Sequence, residues 1–100
     1  MKRIHLLSFL VILFLSGQII AQQVNITGKV TDIANGSSLP GVTINIQGKT
    51  GGATADGEGK YAISADAADV LIFSSTGYRS IIAAVGGRSE INVAMEVGGI

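Results

Sequence analysis

A side-chain period of two runs through this chain from Val24 to Val97, cut into short pieces by glycine, and it constrains the fold more than any other feature. Val24, Ile26, Gly28 and Val30 alternate with Asn25, Thr27, Lys29 and Thr31, which puts one set on the inner face of a strand and the other in water. A polar turn at Asn35-Gly36-Ser37-Ser38 follows, and Pro40-Gly41 restarts an extended chain at a place where a missing N–H is tolerated. Val42, Ile44 and Ile46 then point inward against Thr43, Asn45 and Gln47. Gly48, Gly51 and Gly52 break the pattern, and Ala53 to Ala55 reads as a short edge strand. Asp56-Gly57-Glu58-Gly59 is a tight turn before Tyr61 and Ile63 resume the alternation, with Asp56, Gly57 and Gly59 supplying its backbone angles.

The second half behaves alike, with one exception. Val70 to Phe73 is apolar at every position, which predicts a strand covered on both faces. Gly77-Tyr78 turns the chain, and Ile81, Ala83 and Val85 face inward. After Gly86-Gly87-Arg88, the residues Ile91, Val93, Met95 and Val97 alternate with Asn92, Ala94 and Glu96. Six or seven strands result, with no helix. Strands this short, separated by turn signals, predict an all-β fold, a sandwich of two antiparallel sheets of about seven strands.

Ahead of the strands, Met1 to Ala21 has the make-up of a secretory signal peptide. Lys2 and Arg3 form a positive start, and Leu6 to Leu15 is apolar apart from Ser8. The run ends at Ser16-Gly17-Gln18, short of the ~20 apolar residues a spanning helix needs. Cleavage is expected between Ala21 and Gln22, although Ile19 is bulkier than the usual small residue two places before the cut. The chain has no cysteine, so the exported form is expected to carry neither a cysteine-linked lipid nor a disulfide framework. The domain from Gln22 to Val97 must then rest on one apolar core, near the lower size limit for folding unaided. Gly98 to Ile100 reads as a linker or a chain end.

Composition removes several function classes. Of seven basic residues, Lys2 and Arg3 leave with the signal, so five basic residues face seven acidic ones, and nucleic acid is not an expected partner. His5 is the sole histidine and also lies in the signal segment. Nucleophile systems built on histidine and the usual zinc sets are therefore missing from the exported part, and no catalytic residue, metal ligand or cofactor site is assigned. Asp56, Glu58, Asp66 and Asp69 read as solvated turn acids. The Asp56, Glu58 and Asp66 spacing does not match a calcium loop. A Lys29–Asn92 crosslink is disfavoured because both residues alternate with the apolar set and point away from the core. A sugar platform needs exposed rings, and only Tyr78 is a candidate beside the inward Tyr61 and Phe73, so no direct small-molecule ligand is assigned.

The runs ITGKVTD from Ile26, SLPGVTINIQGKTGGATADGEGKYAISA from Ser38, LIFSSTGYRS from Leu71 and GGRSEINVAMEV from Gly86 resemble a carboxypeptidase-regulatory-like domain of the transthyretin-like class. More narrowly, they resemble the copy at the N-terminus of SusC-like TonB-dependent receptors. That resemblance implies a non-catalytic periplasmic module at the outer membrane of a Gram-negative bacterium, serving oligosaccharide or peptide uptake. Its implied partners are its own plug and barrel, a SusD-like surface lipoprotein and TonB. Since the segments that would form plug and barrel are not in this sequence, the chain is expected to be either a piece of such a receptor or a free-standing copy of its first domain. The alternative is a secreted adhesion or carbohydrate-binding module. Pro40, Gly41, Asp56, Gly57, Gly59 and Gly77 remain turn residues under either reading, and the sheet edges and the loops around Asn35 and Gly57 are the expected contact surfaces.

Overall fold

A computed structural model describes residues 23–98. The expected signal segment, its expected cleavage site between Ala21 and Gln22, and the last two residues of the expected linker lie outside the described residues. Seven strands follow one another: β1 (Gln23–Asp32), β2 (Thr43–Ile46), β3 (Gly52–Thr54), β4 (Lys60–Asp66), β5 (Val70–Ser74), β6 (Ile81–Ala84) and β7 (Val93–Met95). They form a three-stranded sheet ordered β4-β1-β7 and a four-stranded sheet ordered β3-β2-β5-β6.

The period of two becomes the wall of the core. Ile26 and Val30 of β1, Tyr61, Ile63 and Ala65 of β4, and Val93 and Met95 of β7 are buried. They meet Val42, Ile44, Ile46, Leu71, Phe73 and Val85 from the other sheet in one continuous cluster. The Tyr61 ring meets the Phe73 ring edge to face, with centroids 5.4 Å apart and planes at 77°, so one aromatic pair ties β4 to β5 across the interior. Burying these side chains is the main favourable term in a domain of this size.

Three expectations are corrected. The sheets are not purely antiparallel, because β1 pairs antiparallel with β4 over Gln23–Lys29 but parallel with β7 over Val30–Asp32. A ten-residue strand is long enough to serve two partners in succession. The β5 run is not covered on both faces. Leu71 and Phe73 are buried, but Val70 and Ile72 are only half-buried, and the cross-strand partner of Ile72, Ile82, is 67% exposed. Among the described residues no third layer lies over that face. Val97, expected to point inward, is exposed, because after Met95 the chain leaves the sheet and forms an isolated bridge with Tyr78.

Candidate functional site

The loops singled out in the sequence gather where β1 ends. The loop after β1 is closed by the Asp32 N–H to the Ser37 carbonyl (2.8 Å), the Gly36 N–H to the Asp32 carbonyl (2.7 Å), and the Ser37 N–H to Asn35 Oδ1 (2.9 Å). The turn before β4 is tied to the same strand, since the Val30 N–H donates to the Gly59 carbonyl at 2.8 Å. Within that turn Asp56 Oδ1 accepts from the Glu58 N–H at 2.9 Å and the Lys60 N–H at 3.0 Å. Those bonds, Lys60 first and Glu58 second, hold the Asp56 carboxyl below its ordinary pKa. The Asn35 and Gly57 loops therefore sit together at one end of the sandwich, and their polar groups are spent on the backbone.

The turn residues divide by conformation. Gly59 has φ +77°, and a Cβ there would stand 2.6 Å from the Val30 carbonyl oxygen, so only glycine fits. Gly57 has no positive φ and open space around it, which corrects the expectation that it supplies a special backbone angle. Pro40 followed by Gly41 at φ +77° has the residue pattern of a type II turn, and it precedes β2 rather than opening it. Gly77 turns the chain at φ +86° ahead of Tyr78.

Gly28 is a structural residue the alternation alone did not single out. A Cβ on it would lie 1.9 Å from the Ile91 carbonyl oxygen, the same atom that accepts the Tyr61 hydroxyl at 2.6 Å. Glycine inside a strand is the available signal for such a close backbone approach. Burial pushes the Tyr61 phenol up to about 12. Asp32, the one buried charged side chain among the described residues, accepts from the Tyr78 hydroxyl at 2.7 Å and from the Ala34 N–H at 2.8 Å. The bond to Asp32 raises the Tyr78 pKa. Tyr78 is thus engaged in holding the fold, and its hydroxyl is not free for a sugar.

The acids singled out earlier are divided between the two ends of β4. Asp56 and Glu58 lie at the start of β4 and Asp66 at its end, roughly 20 Å along the strand. At that end Lys49 Nζ contacts Asp66 Oδ2 at 2.9 Å and Asp69 Oδ2 at 3.0 Å, and Gln23 Nε2 donates to Asp66 Oδ1 at 2.8 Å. No cluster with metal-binding geometry occurs among the described residues. Lys29 and Asn92 do meet, but through the Lys29 backbone N–H to Asn92 Oδ1 at 2.9 Å, with both side chains exposed. An open groove of about 740 Å³ is lined by Lys29, Lys60, Glu90 and Asn92 of the three-stranded sheet and its flanks, together with Gly28 and Tyr61. What the molecule offers is therefore surface: one polar sheet face, one partly apolar sheet face, and strand edges.

The model of the CarboxypepD_reg-like domain matches residues 26–98. The chain belongs to that family. Two curated relatives of this CarboxypepD_reg-like domain come from Formosa agariphila. TonB-dependent receptor P26 is 44% identical over 71 residues, covering 71% of this chain and 7% of the receptor. TonB-dependent receptor P3 is 32% identical over 97 residues, covering 96% of this chain and 10% of the receptor. The chain therefore spans a tenth or less of the length of these relatives.

Proposed function

We propose that this CarboxypepD_reg-like domain is the non-catalytic N-terminal periplasmic module of a SusC-like TonB-dependent receptor that takes up oligosaccharides or peptides at the outer membrane. The observation that carries the reading is the 44% identity to a TonB-dependent receptor of which the chain matches only 7%. A match of that shape is what one domain of a much larger transporter would give. Its partners under this reading are the plug and barrel of the same polypeptide, with a SusD-like lipoprotein and TonB in the wider assembly. The absence of histidine and cysteine from the exported part and the engagement of Asp56, Asp66 and Asp69 in turns and ion pairs favour work through protein contact rather than through chemistry.

An immunoblot of fractionated native cells, with antibody raised against residues 22–100, tests the reading. A receptor-sized species in the outer membrane is expected. A small soluble periplasmic band would overturn it in favour of a free-standing binding module.

A further inference from the structure

One sheet edge differs from the other three. Natural edge strands are blunted by charge, proline, bulges or shortness. β3 and β7 have three residues each, and β4 carries Lys60 and Asp66 at its ends. β6, Ile-Ile-Ala-Ala, has no charge and no proline, and it lies at the outer edge of the four-stranded sheet. The Val85 N–H donates to the Asp69 carbonyl on the β5 side, so Ile81, Ala83 and Val85 turn their backbone groups toward β5. Alternation then sends those of Ile82 and Ala84 to the open side. The Ala84 carbonyl is capped there by the Arg88 guanidinium, folded back over the Gly86-Gly87 turn. The Ile82 N–H and C=O have no such cover.

Side chains and charge add to this. Ile82 faces Ile72 across the pair, and with Val70 and Ala84 they form an apolar row that ends at the open edge. Arg79 precedes β6 and Arg88 follows it, and neither forms an ion pair among the described residues. No acidic residue occurs from Val70 to Ser89.

We propose that β6 is a docking edge for an extended protein segment, β-branched and apolar at its centre with a carboxylate at each end, which adds to the sheet as a fifth strand between Arg79 and Arg88. This rests on the reading of the domain as a protein-contact module, and it names the surface and the chemistry of the partner. Backbone bonds to the Ile82 N–H and C=O and to the Ala84 N–H supply register, the apolar row receives alternate side chains, and the two arginines select the ends. A second copy of this chain is the wrong occupant. Antiparallel pairing of β6 with itself would set the Arg79 of one copy beside the Arg88 end of the other, twice over, while β6 and its flanks from Val70 to Ser89 bring no carboxylate of their own to the seam.

The test uses the protein as isolated from its native cell envelope and the probe acetyl-Glu-Thr-Val-Thr-Val-Thr-Glu-amide. Hydrogen exchange read by mass spectrometry across residues 79–88 should slow by about tenfold or more at the edge amides when the probe is bound. Replacing both glutamates of the probe by lysine should weaken binding by about tenfold. The protein variant Ile82→Pro removes an outward N–H without touching the β5 ladder, and it should abolish protection while exchange at Leu71 and Phe73 stays slow. Equal binding of the two probes, protection elsewhere on the domain, or an edge already protected in a dimer without probe would each overturn the proposal. A receptor-sized outer-membrane species with an unprotected edge would sink the docking edge alone. A small periplasmic species with a protected edge would sink the receptor reading alone.

Discussion

Gly57 and Gly59 stand two residues apart in one turn, yet the structure asks different things of them. Gly59→Ala must enter a left-handed conformation and meet the Val30 carbonyl, so a loss of about 2–4 kcal/mol is expected in urea unfolding. Gly57→Ala meets nothing and should stay within about 0.5 kcal/mol. Tyr61→Phe leaves the Ile91 carbonyl without its hydroxyl partner and should cost about 1–2 kcal/mol. Tyr61 also sets an alkaline limit. Its folded pKa of about 12 lies above the ordinary phenol value of 10.0, so its contribution is complete below pH 10 and is lost as pH rises toward 12. Unfolding midpoints against pH should fall across that window. The fall should be shallower in Tyr61→Phe, with Tyr78, also raised, supplying the remainder. Local reading of the sequence identified Tyr61 as inward but could not supply its bond to Ile91, because the partner lies 30 residues away.

At the scale of the element, strand parity was legible almost throughout. The residues the alternation named in β1, β2, β4 and β6 all take the inner face, joined by Asp32 and Ala65, since a half-buried strand must sort its side chains by face. β5 shows where that logic stops. A continuous apolar run says that both faces tolerate burial, but whether a second layer arrives is decided elsewhere in the molecule. Phe73→Ala should accordingly cost about 3–5 kcal/mol, whereas Ile82→Thr should cost less than about 1 kcal/mol, compared by thermal or urea denaturation. The outward half of β5 and its neighbour on β6 are apolar without a core to cover them. That is the element-level reason for treating this edge as a place of contact.

At the scale of the whole molecule, the two sheets are joined by the core and by a clasp at one end. Lys49, in the β2–β3 connection, reaches Asp66 at the end of β4 and Asp69 in the turn that follows. The Asp69 carboxyl is held below its usual value, first by the Asp66 N–H and then by Lys49. A lowered carboxyl contributes stability above its unfolded value and loses it as pH falls, so an acid limb should open below about pH 4. Lys49→Met should flatten that limb. Because Lys49 is 45% exposed, its effect at neutral pH should be small and should fade in high salt.

The sequence by itself determined the inward and outward sets of most strands, the places of the turns and the need for a single disulfide-free core, because these follow from periodicity and from residues adjacent in the chain. Only the tertiary structure decided that β1 serves two partners, one of them parallel. It alone decided that Gly28 admits the Ile91 carbonyl, that Tyr78 is spent on Asp32, and that β6 is left open between two arginines. Each of these depends on the register of strands far apart in the chain. Period two says which face a residue takes, but it does not say which strand will lie beside it.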